Sequence, residues 1–171
     1  ETTSPTPRPV RAAPAVNPVP PVPQPTTIEG VTLTPLKIIA DDRGQVMHML
    51  RQDSGVFQRF GKFGEVYFSG VYQGAVKGWK IHSRAWSNWS VPTGRVRATL
   101  YDARETSPTK GQTFEVILGE HNYQLLTIPP GVAAAWKGIA SGMSMVANFS
   151  SETHDPEEGK TVPLETYPYK A

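Results

Sequence analysis

Lys80-Ile81-His82 is where the chain concentrates groups able to do chemistry. Residues two apart on a β-strand leave the same face. A strand here therefore presents an ammonium beside an imidazole. Imidazole titrates near neutrality and can take or return a proton, whereas an ordinary lysine near pKa ~10.4 is a fixed cation. Lys80 serves as a base only if burial or nearby positive charge lowers its pKa by several units. No catalytic residue is expected, and an active site would have to use Lys80, His82 or His154; the ligand-pocket candidates are Lys77, Lys80, His82 and Asn148. The plainer reading of His82 is a hydrogen-bonded interior side chain. A metal site is not expected. Lys-x-His sets a cation where His-x-His would offer a ligand, and residues 83–91 bring no carboxylate. The other histidines, His48, His121 and His154, are scattered, and no cofactor is expected. Lys77, Lys80, Arg84, Arg95 and Arg97 form a basic run suited to a diphosphate, although strand parity separates Lys77 from Lys80.

The elements that must carry these groups read as strands. Candidates lie at 31–39, 45–50, 66–72, 75–82, 86–91, 95–101, 113–118, 123–128 and 144–149. Each is short, rich in β-branched or aromatic residues, and bounded by turns such as Asp42-Arg43-Gly44, Pro92-Thr93-Gly94 and Pro129-Pro130-Gly131. This spacing predicts an all-β sandwich or barrel, and no long segment has a helical period. The 171 residues suit one compact domain. The absence of cysteine excludes a disulfide scaffold, a zinc–thiolate site and a thiol nucleophile. Seventeen basic and 15 acidic residues give +2, too balanced for nucleic acid to be the default partner. No stretch reaches the ~18 apolar residues of a membrane span. A cytoplasmic location is expected. Glu1 is no initiator, so residues are expected upstream, with a signal or anchor among the options.

Residues 1–27 differ from the rest, holding nine of the 17 prolines and no aromatic residue. They cannot build a core and read as an extended polyproline arm, with the folded domain at 28–171. The arm is either a solvated linker or lies along another protein subunit, with Val10, Val16, Val19 and Val22 as its apolar contacts for a groove there. Tyr167 and Tyr169 are further interface candidates, in an extended C-terminal tail. Trp79, Trp86, Trp89 and Trp136 read first as barrel filling. A sharper reading has Trp79 and Trp136 occupying space meant for a substrate.

Several segments occur in a familiar order: Asp41-Asp42-Arg43-Gly44, Gly74-Ala75-Val76-Lys77-Gly78-Trp79-Lys80, Tyr101-Asp102-Ala103-Arg104, Ser107-Pro108-Thr109-Lys110-Gly111 and Ile128-Pro129-Pro130-Gly131. Over about residues 31–165 this series resembles the dTDP-4-dehydrorhamnose 3,5-epimerase family, the RmlC-like cupins. The resemblance implies a jelly-roll barrel, commonly a homodimer, with a metal-free pocket for a nucleotide-linked 4-keto sugar. In the family a histidine base removes the proton beside the ketone and a tyrosine acid returns one. Three positions depart from that pattern. Lys80 stands at the base, Ala134 at a second histidine, and Asn148 and His154 are the nearest matches to the tyrosines. Asp102 and Arg104 match a scaffold element and read as a structural ion pair. Losing all three groups together implies a non-catalytic relative that serves as a structural subunit and docks through its arm. The alternatives are an epimerase or isomerase with non-standard catalytic residues, and a sugar-nucleotide binding module.

Overall fold

The computed structural model describes residues 21–170. Its strands are β1 (Gln24–Pro25), β2 (Thr32–Pro35), β3 (Ile38–Asp41), β4 (Gly44–Met47), β5 (Glu65–Tyr72), β6 (Val76–His82), β7 (Ser87–Thr93), β8 (Arg95–Asp102), β9 (Thr113–Gly119), β10 (Gln124–Ile128), β11 (Val132–Gly138), β12 (Met143–Ser150) and β13 (Gly159–Thr161). One short helix, α1 (Gly55–Phe60), is capped by Ser54 and by Gly61 in the left-handed region. The strands form a six-stranded sheet, β1-β2-β10-β7-β12-β5, and a five-stranded sheet, β13-β6-β11-β8-β9. The hairpin β3–β4 stands apart from both sheets. This is the expected cupin-type barrel. No helix among the described residues is long and apolar enough to cross a membrane.

Period-two alternation gives each sheet an apolar inner face. Trp89, Val91, Val96, Leu100, Leu126, Ile128, Val132 and Val146 fill the space between the sheets. The outer face of the five-stranded sheet carries a second cluster: Trp79, Ile81, Ala133 and Ala135, covered by Leu164, Tyr167 and Tyr169. Tyr167 and Tyr169, the interface candidates of the tail, pack on their own barrel: both meet Trp79 edge-on, and Tyr167 stacks on Tyr101 with centroids 4.4 Å apart. Trp79 does not take substrate space. It lies fully buried on the outer face, its indole N–H donating to the Leu164 carbonyl.

Other differences have local causes. The stretch 31–39 breaks in two because Pro35 lacks an N–H and ends the β2 ladder. Strand β11 was not among the candidates because Val132-Ala133-Ala134-Ala135 lacks strand-favouring side chains after its first residue. It lies centrally, between β6 and β8, where small residues fit against larger ones on both neighbours. The sheet begins inside the stretch read as arm, since Gln24 and Pro25 pair with Leu33 and Thr32. Val22 is 64% exposed. Val10, Val16 and Val19 lie outside the described residues.

The Ser-Pro-Thr loop closes on Asp102, which is fully buried. Its Oδ1 accepts from Arg104 Nε at 2.8 Å, and its Oδ2 accepts from Arg104, Ser107 and Thr109. Burial opposes the charge, but these bonds outweigh it and hold the carboxyl well below the usual carboxylate range. The two residues form an ion pair, and Arg104 borders a surface cleft that also reaches His82 and Glu158.

Candidate active site

The edge strand β5 and strand β6, which lies between β13 and β11, flank an opening into the barrel. Tyr67 and Ser69 face inward from β5, and Lys80 and His82 from β6. Trp89, Ile128, Val132, Ala134, Trp136, Val146 and Asn148 close the inner end around a cavity of about 30 Å³. Outside it lies a vestibule of about 430 Å³, bounded by Glu65, Glu152, His154, Glu158 and Gly159. Tyr67, Lys80 and His82 belong to both spaces. The outer volume is in the usual range for a small-molecule site.

His82 Nδ1 lies 2.6 Å from Glu158 Oε2. The other carboxyl oxygen accepts the backbone N–H groups of Arg84 and Ala85, each at 2.8 Å. Burial opposes the charge on Glu158, yet the His82 bond and the two N–H bonds prevail and hold the carboxyl down to about 2. A carboxylate only accepts, so Nδ1 carries a proton towards Glu158, and in the neutral ring Nε2 holds the lone pair. Glu158 is 5% exposed, which fixes the ring against a rigid partner. This is an orienter–base pair of the kind that proton transfer needs.

Tyr67 and Asn148 are Cα partners across the β5–β12 ladder. Asn148 Oδ1 accepts the Asn88 backbone N–H at 3.0 Å, and Asn88 is itself anchored by Thr127 and by the Phe149 carbonyl. That fixes the amide orientation, so Asn148 Nδ2 donates to the Tyr67 oxygen at 2.8 Å. The phenolic proton is left for another acceptor. Burial raises the Tyr67 pKa, the Asn148 bond lowers it, and Glu65 and Glu158 raise it, with a net upward direction. Tyr67 thus keeps its proton at neutral pH.

Lys80 shares its inward face with His82, and β13 crosses beside both. A Cβ at Gly159 would stand 2.8 Å from Lys80 Cε and 3.1 Å from His82 Nδ1. The Gly159→Ala variant is expected to displace the end of the lysine and press on the ring while the barrel still folds. The NMR shifts of the His82 ring beside circular dichroism check this.

Lys77 corrects the parity argument. Lys80 pairs with Ala134 while Lys77 pairs with Trp136, so β6 carries one extra residue there. The bulge turns Lys77 to the side that Lys80 occupies. Its ammonium donates to Ser69 Oγ at 2.8 Å and sits 5.9 Å from the Trp136 ring centre. Lys77 contacts two residues of the cavity wall and does not itself line the cavity. His154 borders the vestibule only. Glu158 and Tyr67 were absent from the sequence-based candidates. Glu158 lies in an irregular loop, while Tyr67 shares a strand face with Ser69 and Val71 and was accessible to an alternation argument. Among the described residues no group of three potential ligands is placed to hold a metal.

Residues 25–167 match the profile of the dTDP-4-dehydrorhamnose 3,5-epimerase family. The chain belongs to this family. This epimerase-family chain is 33% identical over 131 residues to the spore coat polysaccharide biosynthesis protein SpsL of Bacillus subtilis, covering 77% of itself and 85% of SpsL. It is 31% identical over 132 residues to the probable low-salt glycan biosynthesis epimerase Agl13 of Haloferax volcanii, covering 77% and 83%. Among solved structures, the dTDP sugar isomerase of Desulfovibrio desulfuricans G20 superposes with a TM-score of 0.79 at 39% identity, covering 84% of this chain and 92% of that one. The dTDP-6-deoxy-D-glucose-3,5-epimerase of Legionella pneumophila, in complex with dTDP-4-keto-L-rhamnose, gives 0.74 at 25% identity, covering 82% and 77%.

Proposed function

We propose that the chain is an epimerase or isomerase of nucleotide-linked 4-keto sugars, with dTDP-4-keto-6-deoxyhexoses as the substrate class. The observation that carries this reading is the buried His82–Glu158 pair, 2.6 Å apart at the cavity mouth. It favours an active enzyme with non-standard residues over the non-catalytic subunit implied by the replaced family groups. The base is shifted two residues along β6 from Lys80. The phenol stands on β5, opposite the Asn148 that replaces a family tyrosine.

In this mechanism the ketone lies between Lys80, His82 and Tyr67. His82 Nε2 takes a proton from the carbon beside the carbonyl. The C–H electron pair forms the enolate double bond, and the negative charge moves to the carbonyl oxygen. Lys80 stabilises that oxyanion, while Glu158 steadies the imidazolium. Tyr67 returns a proton to the carbon from the other side, the carbonyl re-forms and the centre is inverted. His82 and Tyr67 exchange protons with water before the next turnover.

Incubation with dTDP-4-keto-6-deoxyglucose in heavy water tests the reading, with exchange followed by mass spectrometry and configuration by NMR. Wild-type protein is expected to wash in deuterium beside the ketone. The Tyr67→Phe variant is expected to retain wash-in but lose inversion by about 10²-fold or more, because the base remains while the acid is gone. Binding without any exchange would favour the binding-module alternative.

A further inference from the structure

We infer that the site exchanges the proton of a single carbon beside the ketone, with Trp136 as the residue that enforces the limit. The inference rests on the assignment of His82 as the base and goes beyond it. A ketone acidifies the C–H bonds on both flanking carbons. Addressing both requires two bases, a base that moves, or a sugar ring that turns in place.

The site supplies none of these. His82 is clamped through Nδ1 to Glu158, whose second oxygen is held by two backbone N–H groups. The position facing Lys80 across the ladder is Ala134, which has no polar atom. His154 borders the vestibule and not the inner cavity. Lys80, the other titratable group on the His82 face, is assigned to the oxyanion.

Turning the ring would sweep its substituents through the inner cavity. That space is about 30 Å³, enough for about two water molecules or one small substituent. Its wall does not yield readily. Trp136 packs edge-to-face on Trp89 with centroids 4.8 Å apart. The strand that carries Trp136 is paired on both sides, to Lys77 of β6 and Ala98 of β8. The Lys77 ammonium lies 5.9 Å from the same ring, and Ile128, Val132 and Val146 complete an aliphatic floor. Close-packed walls of this kind resist displacement of even a methylene. A small apolar substituent seats there and holds the ring in one orientation, leaving one carbon over His82 Nε2.

The test counts deuterons at the plateau. The full chain is incubated with dTDP-4-keto-6-deoxyglucose in heavy water, and the recovered sugar nucleotide is weighed by mass spectrometry against an enzyme-free control. A gain of one deuteron is expected. A gain of two overturns the inference and leaves the base assignment standing. No gain overturns both. The Trp136→Ala variant is expected to gain the second deuteron, because the enlarged cavity lets the ring turn. Should that variant fail to fold, Trp136→Phe makes a smaller opening in the same wall. A folded variant that still stops at one deuteron removes Trp136 from the role.

Discussion

The His82→Asn variant is expected to lose deuterium exchange by about 10³-fold while keeping its fold and its affinity for the sugar nucleotide. General-base catalysis contributes roughly 10²–10⁴, and His82 is the one imidazole among the described residues that line the inner cavity. Asparagine retains a group able to meet Glu158, so the carboxylate is not abandoned and the barrel is spared. Lys80→Ala should behave differently: exchange slows because the oxyanion loses its cation, yet the base still works. An undiminished rate in His82→Asn would refute the assignment. Glu158 adds a pH signature. Its folded pKa of about 2 lies below the ordinary 4.5. Its contribution to stability is therefore complete above about pH 4.5 and is lost as pH falls through the folded value.

Asp102→Ala is the second large effect, and it falls on stability. The substitution strips Arg104 of its bidentate partner and leaves the Ser107 and Thr109 hydroxyls without their acceptor. Breaking a buried ion pair by removing one member costs about 3–5 kcal/mol. The Arg104 side chain is 24% exposed, so water recovers part of its charge and the lower end, about 3 kcal/mol, is expected. For a chain of this size that is a fall in Tm of about 6–12 °C, measurable by calorimetry. The acid limb has the same sign as for Glu158. A carboxyl held below its unfolded pKa stabilises the fold above that unfolded value. The contribution disappears as pH drops through the folded one. Asp102→Ala should therefore lessen the loss of stability with acid as well as lowering stability at neutral pH. A melting point within 2 °C of wild type, taken as roughly 0.5–1 kcal/mol, would remove the Asp102 cluster from the structural account.

The barrel was legible because turn residues and β-branched runs alternate at short intervals, and those signals are local. Strand β11 was not, since an alanine run owes its strand conformation to the neighbours on either side. The site divides in the same way. Lys80 and His82 announce themselves by spacing on one strand. Their partners come from far along the chain, Glu158 from a loop before β13 and Tyr67 from β5, and only the folded register brings them together. Position-by-position comparison with a family motif finds a missing histidine or tyrosine. It does not find an imidazole or a phenol that an adjacent residue or strand brings to the same cavity. The parity of Lys77 failed for a related reason: a bulge is a property of a pair of strands and leaves only a faint trace, here Gly78, in one of them.

That bulge makes the length of β6 a determinant of what the site contacts. Plain alternation over the three-residue step from Lys77 to Lys80 would put the first lysine on the opposite wall, away from Ser69 and the indole; the extra residue is what keeps it on the Lys80 side. That single-residue insertion is a lever that alters the cleft without exchanging any side chain that lines the cavity.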